Sequence, residues 1–351
     1  MALPVEPKKI LFVLHGSLGD ITRALPLAQL VRRRFPRAFL AWSVEPACFP
    51  LLENFAAIDE VIIYDRHRPI AALWPFLRQI HARRFDLVLD LQRHFKSGVV
   101  SRASGAPCRL GFHPSDAKEG NGFFNNYHID AVGDSVAKID HYMKFAEWLG
   151  IAPRPIEWQI ELTPQDKLAV RRHLSGVDTT FAALFVGSRW PSKDWFAEQI
   201  AGCANALLRH HGLSVVLLGG GSEAAVAEQV VRAAEGRVVN LVGQTSLREA
   251  VGVIQHASVC IGPDTGLMHL AAAVGTPVIS LWGATDPKRT GPYGFGELVI
   301  QGKADCAPCY RKNCTIGKIC MRSISSDAIV NKVAAVLRRS VGQKAAHGHW
   351  Q

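Results

Sequence analysis

Two rhythms of apolar and polar residues run along the chain. Short unbroken apolar runs are separated by longer stretches in which apolar residues recur every three or four positions. Lys9 to Leu14 is a continuous run, as expected of a strand covered on both faces. Ile21 to Arg34 then has helical spacing, with Leu25, Ala28, Leu30 and Val31 on one side and Arg32 to Arg34 on the other. Phe39–Val44, Glu60–Tyr64 and Phe85–Leu91 read as further strands, and Leu73–Arg83 as a helix. The second half repeats the rhythm. Strands are expected at Phe181–Val186, Ser214–Leu218, Val238–Leu241, Val259–Gly262 and Val278–Trp282. Helices are expected at Trp195–His210, Glu223–Ala234, Leu247–Gln255, Leu267–Val274 and Ser326–Arg339, with a loose polar tail beyond Val341.

Strands alternating with helices predict an α/β fold with parallel sheets. The length of 351 residues suits two domains. Pro153, Pro155 and Pro164 mark the boundary. We therefore divide the chain into residues 1–152, a linker over 153–165, and residues 166–351, whose last helix has the option of packing back on the first domain. The longest apolar stretch, Leu267 to Ala284, is interrupted by Gly275-Thr276-Pro277. It reads as helix, turn and strand, not as a membrane span. The first nine residues are polar and proline-containing, unlike a secretory signal, so a cytoplasmic location is expected.

Charge narrows the partners. Lys and Arg number 40 against 30 Asp and Glu, a net charge of +10. Such a surface favours phosphorylated sugars, acidic lipid headgroups or nucleic acid. Nucleic acid is disfavoured, because no aromatic-basic platform or recognisable module is present.

Three segments carry candidate chemistry, each between a strand and a helix. His15-Gly-Ser-Leu-Gly-Asp20 lets the backbone turn sharply and puts Asp20 at a helix start. Read from the loop alone, Asp20 is first an ordinary helix cap; the functional reading is a general base. The loop is not Gly-x-Gly-x-x-Gly, so the dinucleotide fingerprint is absent. Gly262-Pro-Asp264-Thr265-Gly266-Leu-Met-His269 offers a helix N-terminus to a diphosphate, although Asp264 and Thr265 could simply cap that helix. Gly187-Ser188-Arg-Trp-Pro-Ser-Lys193-Asp-Trp195 supplies a lysine that either neutralises a phosphate or stays a solvated surface charge.

In this order the three segments resemble the heptosyltransferase family (glycosyltransferase family 9), bacterial enzymes that build the inner core of lipopolysaccharide. The resemblance runs from about Ile10 to Val330. It includes Asp90-Leu-Gln92…Lys96-Ser97, Lys193-Asp-Trp195, the run Asp264 to Ala272, and Gly283-Ala-Thr-Asp-Pro287. The resemblance implies a GT-B architecture: two Rossmann-like domains with parallel sheets facing a central cleft. It implies an acceptor-binding first domain and a nucleotide-sugar-binding second. The activity it implies is inverting transfer of heptose from ADP-heptose to a Kdo-lipid A or heptosylated core acceptor, with no metal or other cofactor. Asp20 matches the residue regarded as the catalytic base. Lys193, Glu223, Asp264, Thr265, Gly266 and His269 match positions around the nucleotide sugar, and Ser188 and Thr245 are expected to line the same pocket. Arg66, Arg68, Arg93 and Lys96 are candidates for the anionic acceptor.

A monomer is expected, and the basic charge suits transient contact with the inner membrane surface on its cytoplasmic face. Transfer from another nucleotide sugar, or nucleotide-sugar epimerisation on the same fold, are the alternatives. The cluster Cys306-x2-Cys309-x4-Cys314-x5-Cys320 has ligand types suited to structural zinc, but its spacing is tighter than in common zinc ribbons. Reduced thiols are the competing reading. Lys303, Arg311, Lys312 and Lys318 around it could meet an anion.

Overall fold

The computed structural model describes residues 6–67, 72–133 and 135–347, with side chains to residue 339. The chain divides into two compact units, Met1–Glu161 and Leu162–Gln351. Each holds one six-stranded sheet, and every strand pairing is parallel.

In the first unit the strands are β1 (Lys9–Val13), β2 (Phe39–Val44), β3 (Glu60–Ile63), β4 (Leu87–Asp90), β5 (Cys108–Gly111) and β6 (Tyr127–His128), in the order β3-β2-β1-β4-β5-β6. In the second they are β7 (Phe181–Phe185), β8 (Ser214–Leu218), β9 (Val238–Asn240), β10 (Val259–Pro263), β11 (Val278–Trp282) and β12 (Ile300–Gln301), in the order β9-β8-β7-β10-β11-β12. Both orders are the doubly wound 3-2-1-4-5-6 arrangement. Each reverses direction once, between β1 and β4 and between β7 and β10. Ligands of such sheets bind beyond the carboxyl ends of the strands at that reversal. The loops after β1, β4, β7 and β10 therefore hold the candidate chemistry.

Burial on both faces explains the unbroken apolar strands. Ile10, Leu11, Phe12 and Val13 are fully buried, as are all five residues of β7 apart from a trace at Phe181. Trp42 on β2 stacks on Phe12 at 5.2 Å. Its indole N–H donates to the Leu14 carbonyl at 3.1 Å, so a large ring is buried with its polar atom satisfied. In the second unit, helix Ser326–His347 places Ile329, Val333 and Val336 in one core with Ile200 and Leu207.

Several elements differ from the sequence expectation. Helix Leu18–Arg34 begins three residues early, so Asp20 lies in its first turn. Helices Phe95–Ala103, Lys138–Trp148 and Pro164–His173 were not expected. The first has polar residues and a glycine at buried positions, Ser97, Gly98 and Ser101, which erase the apolar stripe. Strands β5, β6 and β12 have only two to four residues, too short for a two-residue period to show. The stretch beyond Val341 continues as helix to His347.

Close packing at the strand ends fixes where the loops start. A methyl group on Gly262 would lie 2.6 Å from Phe185 Cβ on the neighbouring strand. We expect Gly262→Ala to lower the stability of the second unit by about 1–3 kcal/mol, read as a lower denaturation midpoint with an unchanged slope.

Candidate active site

In the first unit Asp20 is the third residue of helix Leu18–Arg34. Its Oδ2 accepts from the Ser17 backbone N–H at 3.2 Å and the Ser17 hydroxyl at 3.0 Å. Its Oδ1 accepts from Arg23 Nη1 at 2.8 Å and from Lys138 Nζ. The capping residue is Ser17, not Asp20 as expected; Asp20, at the third position of the helix, closes a capping box back onto it, and two cations are added. Burial disfavours the carboxylate charge, but Lys138 and Arg23, helped by the hydrogen bonds, outweigh it and hold the Asp20 pKa below its ordinary value. Tyr142 is buried beside it, and burial together with the Asp20 charge keeps its phenol protonated.

The loop carrying Asp20 is tied to the loop after β4. The His15 backbone N–H donates to Gln92 Oε1 at 3.0 Å. The His15 ring stacks on Tyr64 at 4.2 Å. Burial first, and the Lys96 charge second, push the His15 pKa down to about 3, so the ring is neutral. Asp90, which ends β4, is fully buried. Its Oδ2 accepts from Asn121 Nδ2 at 2.7 Å and Asn125 Nδ2 at 3.1 Å, and its Oδ1 from the Gln92 N–H at 3.2 Å. Ser97 Oγ donates to the carbonyls of Gln92 and His94 at 2.8 and 2.9 Å. The Asp-x-Gln…Lys-Ser pattern is therefore a brace that shapes two loops.

The acceptor candidates fall into two places. Arg93, 9% exposed, lies close enough to Lys138 and Tyr142 for its charge to bear on both. Arg66 and Lys96 instead line a cavity of about 680 Å3 beside Tyr64, Leu73, Phe76 and Phe95. Arg66 also pairs with Glu45 at 3.5 Å. Arg68 lies outside the described residues.

In the second unit the loops after β7 and β10 meet through an ion pair. Lys193 Nζ donates to Asp264 Oδ2 at 2.6 Å, and both side chains are largely buried. Thr285 Oγ1 donates to the same oxygen at 2.8 Å. The motif Gly283-Ala-Thr-Asp-Pro287 thereby gains a physical meaning: Thr285 holds Asp264, and Asp286 caps the helix that Pro287 opens. Thr265 is the extended residue before helix Gly266–Ala273, and His269 is buried within that helix. Ser188 is fixed to Asp194, donating to Oδ1 from its backbone at 2.9 Å. Glu223 packs over Gly187, where any Cβ would collide with its side chain. Thr245 lies half-buried in the loop after β9, next to Gly243, whose N–H reaches the Gly219 carbonyl at 3.0 Å.

The cysteine-rich segment braces the lysine loop. Ser192 donates from N to Lys312 O at 3.1 Å and from Oγ to Arg311 O at 2.6 Å, and Lys318 Nζ donates to Asp194 O at 3.3 Å. Among the described residues no group of three or more His, Cys, Asp or Glu side chains is placed to hold a metal ion. Cys320 is packed into the core, where burial first, and the nearby Cys306, Cys314 and Cys309 thiols after it, raise its pKa; Cys314 Sγ accepts from the Lys318 N–H.

One doubly wound sheet carries a largely buried carboxylate at its reversal and the other a lysine beside a helix N-terminus, each at a place where sheets of this class bind ligands. Comparison with known proteins makes this particular. The profile of glycosyltransferase family 9 (heptosyltransferase) matches residues 73–320. The chain belongs to that family. It is 26% identical to lipopolysaccharide core heptosyltransferase OpsX of Haemophilus influenzae over 84% of each chain. It is 29% identical to lipopolysaccharide heptosyltransferase 1 of Pseudomonas aeruginosa over 88% of this chain and 87% of that one. The fold matches the structure of the E. coli ADP-heptose LPS heptosyltransferase II with a TM-score of 0.76 at 21% identity, over 95% of this chain and 99% of that one.

Sequence reasoning missed Lys138, Tyr142, Asn121 and Asn125, and it singled out the motif containing Thr285 without giving that residue a role. Arg23, three residues after Asp20 on one helix, was the partner a spacing rule could have found.

Burial first raises the Asp90 pKa from 3.8 to about 6, against its hydrogen bonds. Between those values the folded protein holds a proton that the unfolded chain has released. Stability therefore falls as pH rises through that window, by about 3 kcal/mol in total. Asp90→Asn should remove that slope, measured by denaturant unfolding from pH 4 to 7.

Proposed function

We propose that this protein is an inverting heptosyltransferase that moves heptose from ADP-heptose to an anionic lipopolysaccharide-core acceptor. The observation that carries the reading is the family match, which spans Lys193, Asp264 and His269. The names of its relatives supply the donor and the acceptor class.

In this reading the acceptor hydroxyl oxygen attacks the anomeric carbon as its proton passes to Asp20. The bond from that carbon to the diphosphate oxygen breaks, and ADP leaves with the electron pair. Entry opposite to the leaving group inverts the anomeric centre. The departing diphosphate gains charge. Lys193 and the backbone N–H groups at the start of helix Gly266–Ala273 are suited to stabilise it, with Asp264 and Thr285 holding the lysine in place. Glu223, Ser188, Thr245 and His269 are assigned to the nucleotide sugar. Arg93, Arg66, Lys96 and, outside the described residues, Arg68 are assigned to the acceptor. We place the reaction at the cytoplasmic face of the inner membrane, where a chain of charge +10 has transient access to acidic lipid. Among the described residues no helix is long and apolar enough to cross a membrane.

Asp20→Asn should lower the transfer rate by a factor of about 100 to 10,000 with ADP affinity unchanged, measured by ADP release and by calorimetry. Near-normal turnover would remove Asp20 from the role of base.

Because a lysine and a helix terminus provide the positive charge, transfer should continue at its full rate in excess chelator. A rate that falls, and returns only with added divalent metal, would contradict this assignment.

A further inference from the structure

The carboxylate assigned as base has its acceptor positions filled. A carboxylate offers about four lone-pair positions. On Asp20, Ser17 supplies two donors to Oδ2, Arg23 and Lys138 supply one each to Oδ1, and the buried Tyr142 phenol bonds to the carboxylate as well. A proton from a substrate hydroxyl can enter only if one donor withdraws. Ser17 is bound through the turn that contains Asp20. Arg23 rises from the same helix, and its side chain is 10% exposed. Lys138 comes from a different element, as the first residue of helix Lys138–Trp148, and its side chain is 25% exposed. It is the donor with the freest path away.

The local charge supplies the reason to withdraw. Two cations, Lys138 and Arg23, bear on this largely buried carboxylate, and a third, Arg93, bears on Lys138. Burial already disfavours the Lys138 charge, and Arg23 and Arg93 add to that. Such a surplus of buried positive charge is a standing attraction for an anion.

We propose that Lys138 is an exchangeable counter-ion of Asp20: an anionic group of the acceptor, a carboxylate or a phosphate, draws its ammonium away and frees Oδ1 to take the hydroxyl proton. The inference rests on the reading of Asp20 as base. It makes Lys138 a positioning residue that couples acceptor charge to base activation. The bond changes are those given above, with the proton ending on Asp20 Oδ1. An acceptor lacking the anion leaves Lys138 on Asp20 and is turned over slowly. Water alone also leaves it there, which protects the donor from hydrolysis.

The test compares three acceptors: the native acidic glycolipid, the same with its sugar carboxylates reduced to alcohols, and the same dephosphorylated. With the unaltered enzyme, one of the two neutralised acceptors should lose kcat/KM, and which one identifies the anion. In Lys138→Gln the preference for the native acceptor over that one should shrink about tenfold or more. Donor hydrolysis without acceptor should rise. Lys138→Arg should restore much of the preference. ADP affinity serves as the check that Lys138→Gln is folded. If Lys138→Gln fails that check, the Lys138→Arg enzyme carries the test, since its retained preference and low hydrolysis are expected and their loss would overturn the proposal. A folded Lys138→Gln enzyme with the unaltered preference and hydrolysis rate overturns the proposal while Asp20→Asn remains inactive. An active Asp20→Asn enzyme instead brings down the reading of Asp20, and this inference with it.

Discussion

A carboxylate taken out of water must be given charged or hydrogen-bonding partners, or it gives up its charge. Both units meet that constraint at the point where their strand order reverses. In the first, Asp20 is held by Arg23 and Lys138; in the second, Asp264 is held by Lys193 and Thr285. The two arrangements are similar in kind. A loop after a central strand presents an acid, and a lysine from elsewhere in the same unit meets it. The ion pair fixes the loop. In the proposed reaction, a phosphate or a substrate carboxylate arriving at either place meets a cation already oriented, so part of the cost of ordering it has been met during folding.

The remaining motif residues are explained by what they do to those loops. Gln92 takes the His15 N–H, and Asp90 takes the Gln92 N–H, so the loops after β1 and β4 share a hydrogen-bonded seam. Asn121 and Asn125 close that seam from below. In the second unit the segment from Arg311 to Lys318 performs the corresponding service for Ser192 and Asp194. What the structure shows of this cysteine-rich segment is a brace made of two backbone carbonyls and one lysine.

Legibility in the sequence followed the range of the interaction. The buried strands were plain, because burial on both faces demands continuous apolar runs such as Ile10 to Val13 and Phe181 to Phe185. The loops at their ends were plain as well, since glycine and acid after a strand leave a local mark. Helix Lys138–Trp148 was not, although Tyr142, Phe145 and Ala146 are buried in it, because its Lys-Ile-Asp-His-Tyr start mixes buried and exposed residues without a cap. Lys138 itself was beyond reach. It lies 118 residues from Asp20, and no periodicity or spacing rule joins a lysine at a helix start to a carboxylate so far away. The Thr285 contact was half-legible: its motif was recognised, but only the fold shows that its hydroxyl ends on Asp264.

The two aspartates of the first unit show how surroundings divide one residue type between two tasks. Asp90 is fully buried and Asp20 largely so, and burial alone would push both toward the neutral acid. Asp90 has only neutral partners, three amide-bearing residues and a serine, and its pKa rises to about 6. Asp20 faces two cations in hydrogen-bonding contact, and its pKa falls. The first arrangement suits a group that shapes loops and need not carry charge. The second secures a carboxylate that is ionised at every physiological pH, at the cost of basicity, since the same cations that hold the charge oppose the arrival of a proton. In the proposed role of base, Asp20 becomes effective when one cation leaves. The flexible and partly exposed side chain among its partners, Lys138, is the one whose departure requires no change in the backbone that holds Asp20.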